Sequence, residues 1–399
     1  MHPFTTLRRL ATAPLAAALL ASVSGPALAL DGDAFVAKVN EAYASYSTKM
    51  EFASVVTEDD TVTVVGAKFL TPGAPAYEVG DIEFDGVTET GDGGYEVETV
   101  TVPDIDYSKD DVRVTIEGMA LYGLVVPAKP EFGTIDSLLF YDSFEAGPMA
   151  VSMKGKEVFA IDSLEGEATR KDGDSGLDML MTGSGIAIDV SQIEDAKSRD
   201  MFQKLGYTKL TGDLKLDMGW DLGPGRLDLR EYSIAFADVG KILMTLDISG
   251  YTPAFLKAMQ ETQVAAAANP DPQAAQSAAG IAMLGMLQQL TFTSATIRYE
   301  DASLTGRALK LAGEQQGVSP TQMADGLKAM LPLMLGQFNV PALQQQISAA
   351  ANGFLDDPKS ITVTAKPAAP VAVPMIMGAG MSGPQQVVDL LNVQVTAND

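Results

Sequence analysis

The sequence contains no cysteine, and its single histidine is His2, close to the N-terminus. Without cysteine there is no disulfide and no thiolate nucleophile, and without a second histidine a Ser-His-Asp triad or an ordinary Cys/His zinc site has no ligands to draw on. The Gly-x-Ser-x-Gly, Ser-x-x-Lys and phosphate-loop motifs are also absent. The sequence therefore predicts no catalytic residue, no bound metal and no cofactor, and favours a protein that is not an enzyme.

The N-terminal residues have the pattern of an export signal. Arg8 and Arg9 precede an apolar stretch from Leu10 to Gly25, and the Ala27-Leu28-Ala29 sequence fits a signal-peptidase cleavage site. The apolar stretch is shorter than the roughly 20 residues that cross a bilayer. Residues 1–29 are thus predicted to be a signal peptide, and the product is expected to be periplasmic, soluble and without a transmembrane anchor.

Charge of one sign dominates the remainder of the chain. After residue 29 there are 25 basic and 52 acidic residues, a formal net charge of −27. This charge opposes binding to nucleic acid, because phosphate contacts need basic patches. A solvated acidic surface explains it, although clustered carboxylates for a divalent cation are an alternative. Asp172, Asp174 and Asp178 could supply three carboxylates, but their loop lacks the glycine and the glutamate of a helix-loop-helix calcium site.

Short apolar-polar alternations between turn residues are typical of strands from about residue 55 to residue 248. A short helix precedes them, with Phe35, Val39, Tyr43 and Met50 at helical spacings. The clearest strand runs from Leu210 to Trp220 and alternates apolar with polar side chains, which indicates an antiparallel sheet with one covered face. A change of phase predicts a β-bulge near Arg230-Glu231.

Helical periodicity returns after Gly250, and strands recur at Thr291 to Glu300 and near the C-terminus. The predicted organisation is a β-rich region over 30–250 with a short N-terminal helix, followed by a helix-rich region over 251–399 that packs on the same sheet. The fold class is therefore α+β, a curved and mainly antiparallel β-sheet with covering helices concentrated in the C-terminal third.

Methionine is abundant, with 19 residues, and it lines surfaces that adapt to varied apolar ligands. The leading hypothesis is a non-enzymatic protein that binds an apolar or amphipathic, lipid-like ligand, or an envelope partner, on the sheet. A plain hydrophobic core, a glycan hydrolase that uses Asp and Glu, and a structural envelope scaffold are the alternatives. The predicted ligand-binding side chains are Leu210, Leu214, Leu216, Met218 and Trp220 on one strand face, with Met330 and Met334 from a covering helix.

Two C-terminal stretches carry a resemblance to known proteins. They are Tyr299 to Arg307, YEDASLTGR, and Phe354 to Pro367, FLDDPKSITVTAKP. With the export signal and the strand-rich passages, they resemble an uncharacterised family of exported proteins from alphaproteobacteria. The strand-rich pattern is also distantly similar to that of AsmA-like periplasmic proteins, which are built on long curved sheets. The resemblance implies work in the cell envelope, and lipid handling if the AsmA-like similarity holds, but it transfers no site residue.

Overall fold

A computed structural model of the protein describes residues 30–44, 48–71, 76–130, 135, 140–336 and 340–399. Its architecture is α+β, one large open antiparallel sheet with most helices in the C-terminal part, as the sequence predicts. The predicted signal peptide, residues 1–29, lies outside the described residues.

The described residues form nine helices and twenty-one strands. The helices are α1 (Gly32–Ala44), α2 (Ala196–Lys204), α3 (Pro253–Ala268), α4 (Pro272–Leu287), α5 (Leu304–Gln316), α6 (Pro320–Gly336), α7 (Pro341–Asp356), α8 (Val373–Ser382) and α9 (Pro384–Leu391). No helix among these is long and apolar enough to cross a membrane.

The strands of the N-terminal part are β1 (Lys49–Glu51), β2 (Ser54–Glu58), β3 (Thr61–Leu70), β4 (Tyr77–Asp85), β5 (Thr88–Glu89), β6 (Tyr95–Val102), β7 (Ile105–Lys109), β8 (Val112–Ile116), β9 (Met119–Val126), β10 (Ser143–Ala146) and β11 (Met149–Met153). Those that follow are β12 (Lys156–Ile161), β13 (Ser163–Arg170), β14 (Gly176–Asp189), β15 (Lys209–Asp221), β16 (Arg226–Phe236), β17 (Gly240–Ser249), β18 (Thr291–Asp301), β19 (Ser360–Ala365), β20 (Val371–Ala372) and β21 (Val393–Ala397).

The sheet is a meander, in which each crossing of the sheet by the chain is hydrogen-bonded to the preceding crossing. Short breaks divide several passages into two strands, so that β6 and β7 pair with β9 and β8, and these pair with β10 and β11. From β13 to β19 the order of the strands in the sheet follows the chain, and β21 pairs with β19 after them. The helices after β17, β18 and β19 are therefore insertions between strands that remain neighbours.

Local sequence explains several elements in detail. The predicted bulge is confirmed, because the pairing register of β16 shifts between Leu229 and Tyr232, on either side of Arg230-Glu231. Asp31 caps α1 by accepting a hydrogen bond from the amide of Ala34 at 3.0 Å. One expectation is wrong: Met50, which the spacing assigned to the first helix, lies in β1, because α1 ends at Ala44.

Two separate clusters of buried side chains hold the sheet. In the first, α1 lies on the N-terminal strands and buries Phe35, Val36 and Val39 against β3, β4, β6 and β9. The ring of Phe35 makes edge contacts with Phe84 and Tyr95, each with centroids 5.2 Å apart. The second cluster comprises Ile135, Phe140, Leu177 and Trp220.

Ion pairs cover the face of the sheet that is opposite to the leucines of β15. At the β16 bulge, Glu231 accepts hydrogen bonds from Lys215 at 2.8 Å, Lys241 at 2.9 Å and Ser233 at 2.8 Å. These hydrogen bonds lower the pKa of Glu231 from its ordinary 4.5 to about 2, and the bond from Lys215 has the largest effect. The carboxylate therefore stabilises the folded state wherever it is ionised.

Acid is expected to weaken the fold through this carboxylate. Because folding lowers the pKa of Glu231, its contribution to stability is present above pH 4.5 and is lost as the pH falls toward about 2. Glu231→Gln should reduce the free energy of unfolding at neutral pH by about 1–3 kcal/mol and flatten its pH dependence in that window. Urea unfolding at several pH values measures both, with the exposed Glu194→Gln as control; the same pH profile in both variants would contradict the assignment.

Candidate functional site: an apolar cleft beneath the first helix

A cleft of about 500 Å³ opens between the C-terminal half of α1 and the strands beneath it. We call it the α1 cleft. Its sixteen lining residues come from α1, six nearby strands and the segments that flank them. They are Val39, Tyr43, Thr48, Met50, Phe69, Tyr77, Val79, Ile82, Phe84, Val100, Val102, Ile105, Met119, Leu121, Leu124 and Tyr141. Volumes of this order are typical of small-molecule sites.

The helix α1 is fixed at several points, so the cleft has a stable roof. Asn40 exchanges two hydrogen bonds with the backbone of Met50, at 2.9 and 3.0 Å, and thereby ties the middle of α1 to β1. The ammonium group of Lys38 donates to the carbonyl oxygen of Ala128 at 2.7 Å. Phe35 fills the space under the first half of the helix, whereas Val39 and Tyr43 leave a gap under the second half.

The chemistry of the described lining is almost entirely apolar. None of the sixteen residues is charged, although one residue in five of the whole chain is. Polar atoms come from Thr48 and from the hydroxyl groups of Tyr43, Tyr77 and Tyr141. Burial raises the pKa of Tyr43, so its phenol is neutral at physiological pH. The cleft therefore suits an apolar chain or ring and offers hydroxyl groups to a weakly polar end.

Aromatic rings line two sides of the cleft. Tyr43 and Phe69 meet edge to face with centroids 5.2 Å apart, which joins α1 to β3. Tyr141 meets Phe144 of β10 in the same way at 6.1 Å. Tyr77 at the start of β4 is half exposed. Such rings contribute large contact areas with little loss of conformational freedom, as binding surfaces require.

The cleft is continuous with the apolar face of the whole sheet. Residues that are directly paired on neighbouring antiparallel strands point to the same face. The registers connect the cleft residue Leu121 to Phe144, then to Gly166 and Met181, and onward to the C-terminal strand. The full cross-strand row is Val62, Phe84, Val100, Leu121, Phe144, Gly166, Met181, Leu216, Tyr232, Met244, Ile297, Val363 and Val395.

Burial along this row changes with position. Val62, Phe84 and Val100 are buried in the N-terminal cluster, whereas Ile297 and Val363 are exposed. Val395 is buried again, because α7 packs along β21 and its Gln346 accepts a hydrogen bond from the Val395 amide at 3.0 Å. The apolar face is therefore covered at its N-terminal end, half buried along its middle strands and exposed at Ile297 and Val363, beside the buried Val395.

The seven residues predicted from the sequence fall into two groups. Five share the apolar face of β15, namely Leu210, Leu214, Leu216, Met218 and Trp220. The first four are half buried. Trp220 is buried and donates from its indole nitrogen to the carbonyl oxygen of Tyr251 at 2.9 Å.

The other two predicted residues, Met330 and Met334, lie on α6. This helix packs between α5 and α7, and both side chains are more than half exposed. The structure thus brings the β15 residues together on one face and leaves these two methionines largely in solvent. None of the seven predicted residues lines the α1 cleft.

Sequence reasoning missed the cleft because it assembles residues far apart in the chain. The helical spacing of Val39 and Tyr43 and the apolar-polar alternation in β6 are visible in the sequence. That Tyr43 faces Phe69, and that Leu121 lies beside Val100, follows only from strand order and register. A strand with alternating residues shows which of them share a face but not which neighbour that face meets.

Acidic side chains line a different depression, separate from the α1 cleft. A depression of about 780 Å³ has Glu96, Glu98, Asp142 and Glu167 among its lining residues, with Arg170 stacked over the ring of Phe140 at 4.3 Å. Within the described ranges, no group of three or more acidic or histidine side chains is arranged to hold a metal ion. Asp178, near the loop considered for calcium, is instead paired with Arg230 at 2.7 Å.

Comparison with known proteins adds a family match for the C-terminal part. A family model described as "Uncharacterized protein" matches residues 233–398, from the second half of β16 to the end of β21. No curated protein matches the chain. The matched part contains Ile297 and Val363, the exposed residues of the apolar row, and the α1 cleft lies outside it.

Proposed function

We propose that this protein binds an apolar or amphipathic ligand of the lipid type in the α1 cleft, without catalysing a reaction. The uncharged, aromatic-rich lining of the cleft is the observation that carries the proposal. In a chain with a formal net charge of −25, such a lining excludes competing ionic ligands and favours hydrocarbon.

The continuous apolar row supports a ligand that extends beyond the cleft. A chain-like molecule seated beside Leu121 meets Phe144 next, and beyond it the methionines and leucines of β14 and β15. The half-buried Leu210, Leu214, Leu216 and Met218 are then the second part of the binding face for a longer ligand, as the sequence suggested, and Trp220 supports the same face from within the second buried cluster. Met330 and Met334, exposed on α6, remain predicted contacts of the ligand.

The proposal includes work in the periplasm. The pattern of residues 1–29 supports export, and the long antiparallel meander is consistent with the long sheets that the AsmA-like resemblance implies. A protein of this kind is expected to carry lipid when it is purified from its own envelope. Native mass spectrometry of such material measures this, and a mass equal to the bare chain would count against the proposal.

Filling the cleft is the direct test. Val102 lines the cleft at the end of β6, so Val102→Trp should place an indole in the ligand space and lower affinity by about tenfold or more. The assay is displacement of the uncharged probe N-phenyl-1-naphthylamine by dodecanoic acid and by its methyl ester. Because no lining residue is cationic, the ester is expected to bind at least as tightly as the acid.

The matched control is Tyr107→Trp, which adds the same residue at an exposed position on β7 outside the cleft. It should bind as the unmodified protein does. Equal affinity in both variants, with urea midpoints unchanged, would remove the α1 cleft as the site.

A further inference from the structure

The strand β21 forms one lateral edge of the sheet. It pairs with β19 on one side, and among the described residues no strand pairs with its other side. An edge strand of this kind presents backbone N–H and C=O groups that can pair with a strand of another chain. We call the outward backbone groups of Val393–Ala397 the β21 edge.

A glutamine of α7 occupies the middle of the β21 edge. The side-chain oxygen of Gln346 accepts a hydrogen bond from the amide of Val395 at 3.0 Å. This amide therefore points away from β19. In an antiparallel ladder every second residue has the same orientation, so the amides of Val393 and Ala397 also face outward. A strand that paired with this edge would first have to displace Gln346.

The helix α7 is tied to the end of β21 at a second point. The side-chain amide of Asn398 donates to the carbonyl oxygens of Gly353 at 3.0 Å and Asp357 at 2.9 Å, at the end of the helix. The helix is therefore expected to stay docked when Gln346 is changed. The hydrogen bond to Val395 can thus be removed without removing the helix.

The opposite edge of the sheet is closed by a similar contact. Within the part of the chain that the structure describes, β1 pairs only with β3, and the outward amide and carbonyl groups of Met50 are both hydrogen-bonded to the side chain of Asn40 on α1. An amide side chain from a helix thus covers backbone groups at both edges. Coverage of this kind prevents edge-to-edge association of sheets.

The distribution of charge indicates which partner an uncovered β21 edge would take. Residues 251–399 hold 7 basic and 10 acidic residues, a formal net charge of −3, whereas residues 1–250 hold 20 basic and 42 acidic residues. Two copies that meet at β21 bring their nearly neutral parts together, so repulsion between them is small. The N-terminal edge is in the acidic part and is covered by Asn40. A two-fold contact between the β21 strands of two copies is therefore the favoured pairing.

We infer that Gln346 is an autoinhibitory cap, which keeps the protein monomeric by blocking antiparallel pairing of β21 with the β21 of a second copy. Without the cap, the outward backbone groups of the two strands bond to each other and join two sheets into one. The inference goes beyond ligand binding in the α1 cleft and does not depend on it, because Gln346 and Val395 do not line the cleft.

Sedimentation equilibrium of the full chain tests the inference. Gln346→Ala should self-associate about tenfold more tightly than the unmodified protein, because the Val395 amide loses its partner and finds another in the second copy. Gln346→Leu keeps the bulk of the side chain but has no acceptor, so it should associate as Gln346→Ala does. The matched control is Gln345→Ala, the same change at the adjacent, exposed position of α7, which should behave as the unmodified protein does.

A second substitution identifies the strand that pairs. Ala397→Pro removes one outward amide from the β21 edge, and it should return the Gln346→Ala variant to the monomer. Circular dichroism checks that each variant is folded. Three results would overturn the inference: Gln346→Ala that associates no more than Gln345→Ala, Gln346→Leu that stays monomeric, or a dimer that persists with Ala397→Pro. Probe binding in the α1 cleft is expected to be unchanged in all variants, so the two proposals fail separately.

Discussion

Replacing Phe35 by alanine is expected to lower the free energy of unfolding by about 3–5 kcal/mol. The side chain is fully buried and is the anchor of α1, with its ring against Phe84 on one strand and Tyr95 on another. The substitution removes these contacts and leaves a void that the paired strands cannot close. Urea unfolding monitored by circular dichroism measures the loss. The control is Phe52→Ala, the same change at an exposed phenylalanine before β2, which should cost less than about 1 kcal/mol.

The same substitution has a functional consequence, because α1 is the roof of the α1 cleft. A loosened helix no longer holds Val39 and Tyr43 over the strands, so the affinity for an apolar ligand should fall together with stability. Displacement of N-phenyl-1-naphthylamine is measured without urea and at low temperature, where the variant remains folded, so that loss of binding is separated from unfolding. Unchanged affinity in folded Phe35→Ala protein would show that the ligand binds elsewhere.

Much of the fold could be predicted because local rules and the tertiary structure agree. The strand expected from Leu210 to Trp220 is β15, one residue longer at each end, and it alternates because its two faces meet different surroundings. Thr252 caps α3. The Ser-Pro-Thr-Gln sequence from Ser319 to Gln322 is a capping-box pattern, and in α6 the Ser319 amide donates to the Gln322 side chain at 2.9 Å and the Gln322 amide to the Ser319 hydroxyl at 3.2 Å. Each of these signals lies within a few residues of chain, where sequence and geometry are tightly coupled.

Other elements could not be predicted because packing decides them. The stretch from Lys366 to Pro374 looks like a connector, yet Val373–Ser382 forms α8 and Pro384–Leu391 forms α9. Their glycines and prolines give a weak helical signal, and the short strand β20 beside β18 sets where α8 begins. The helix α2 is short and polar, and its start depends on Asp195, which accepts a hydrogen bond from the Ser198 amide at 2.7 Å.

The candidate site shows the same contrast between features that local sequence determines and features that packing determines. The apolar face of β15 could be identified from alternation alone, but its link to the cleft passes through Phe144 and Gly166, which lie on different strands. A side chain at Gly166 would collide with the ring of Phe144, since the two would be 2.1 Å apart. A glycine between two strand passages reads as a turn residue in the sequence, whereas here it makes room for a neighbouring ring on the apolar face.

Trp220→Ala is expected to cost about 3–5 kcal/mol as well, but for a different reason and without loss of cleft binding. Trp220 belongs to the second buried cluster, where it packs with Leu177 and Phe140. Its ring meets that of Tyr251 edge to face, with centroids 6.4 Å apart, and its indole nitrogen donates to the Tyr251 carbonyl oxygen. The more conservative Trp220→Phe keeps an aromatic ring and should cost less, because it loses the hydrogen bond and part of the contact area. Urea unfolding followed by circular dichroism compares all three proteins.

The paired comparison of two similarly destabilised variants locates the ligand. Phe35 and Trp220 lie in separate clusters, and only the first supports the α1 cleft. Folded Trp220→Ala protein should therefore bind the apolar probe within about twofold of the unmodified chain, whereas folded Phe35→Ala protein should not. If the tryptophan variant loses affinity and the phenylalanine variant keeps it, the ligand lies on the β15 face, as the sequence alone suggested, and the cleft is a packing defect. Because Trp220 is the chain's one tryptophan, a ligand on that face would also change its fluorescence, whereas a ligand confined to the α1 cleft should leave its emission unchanged.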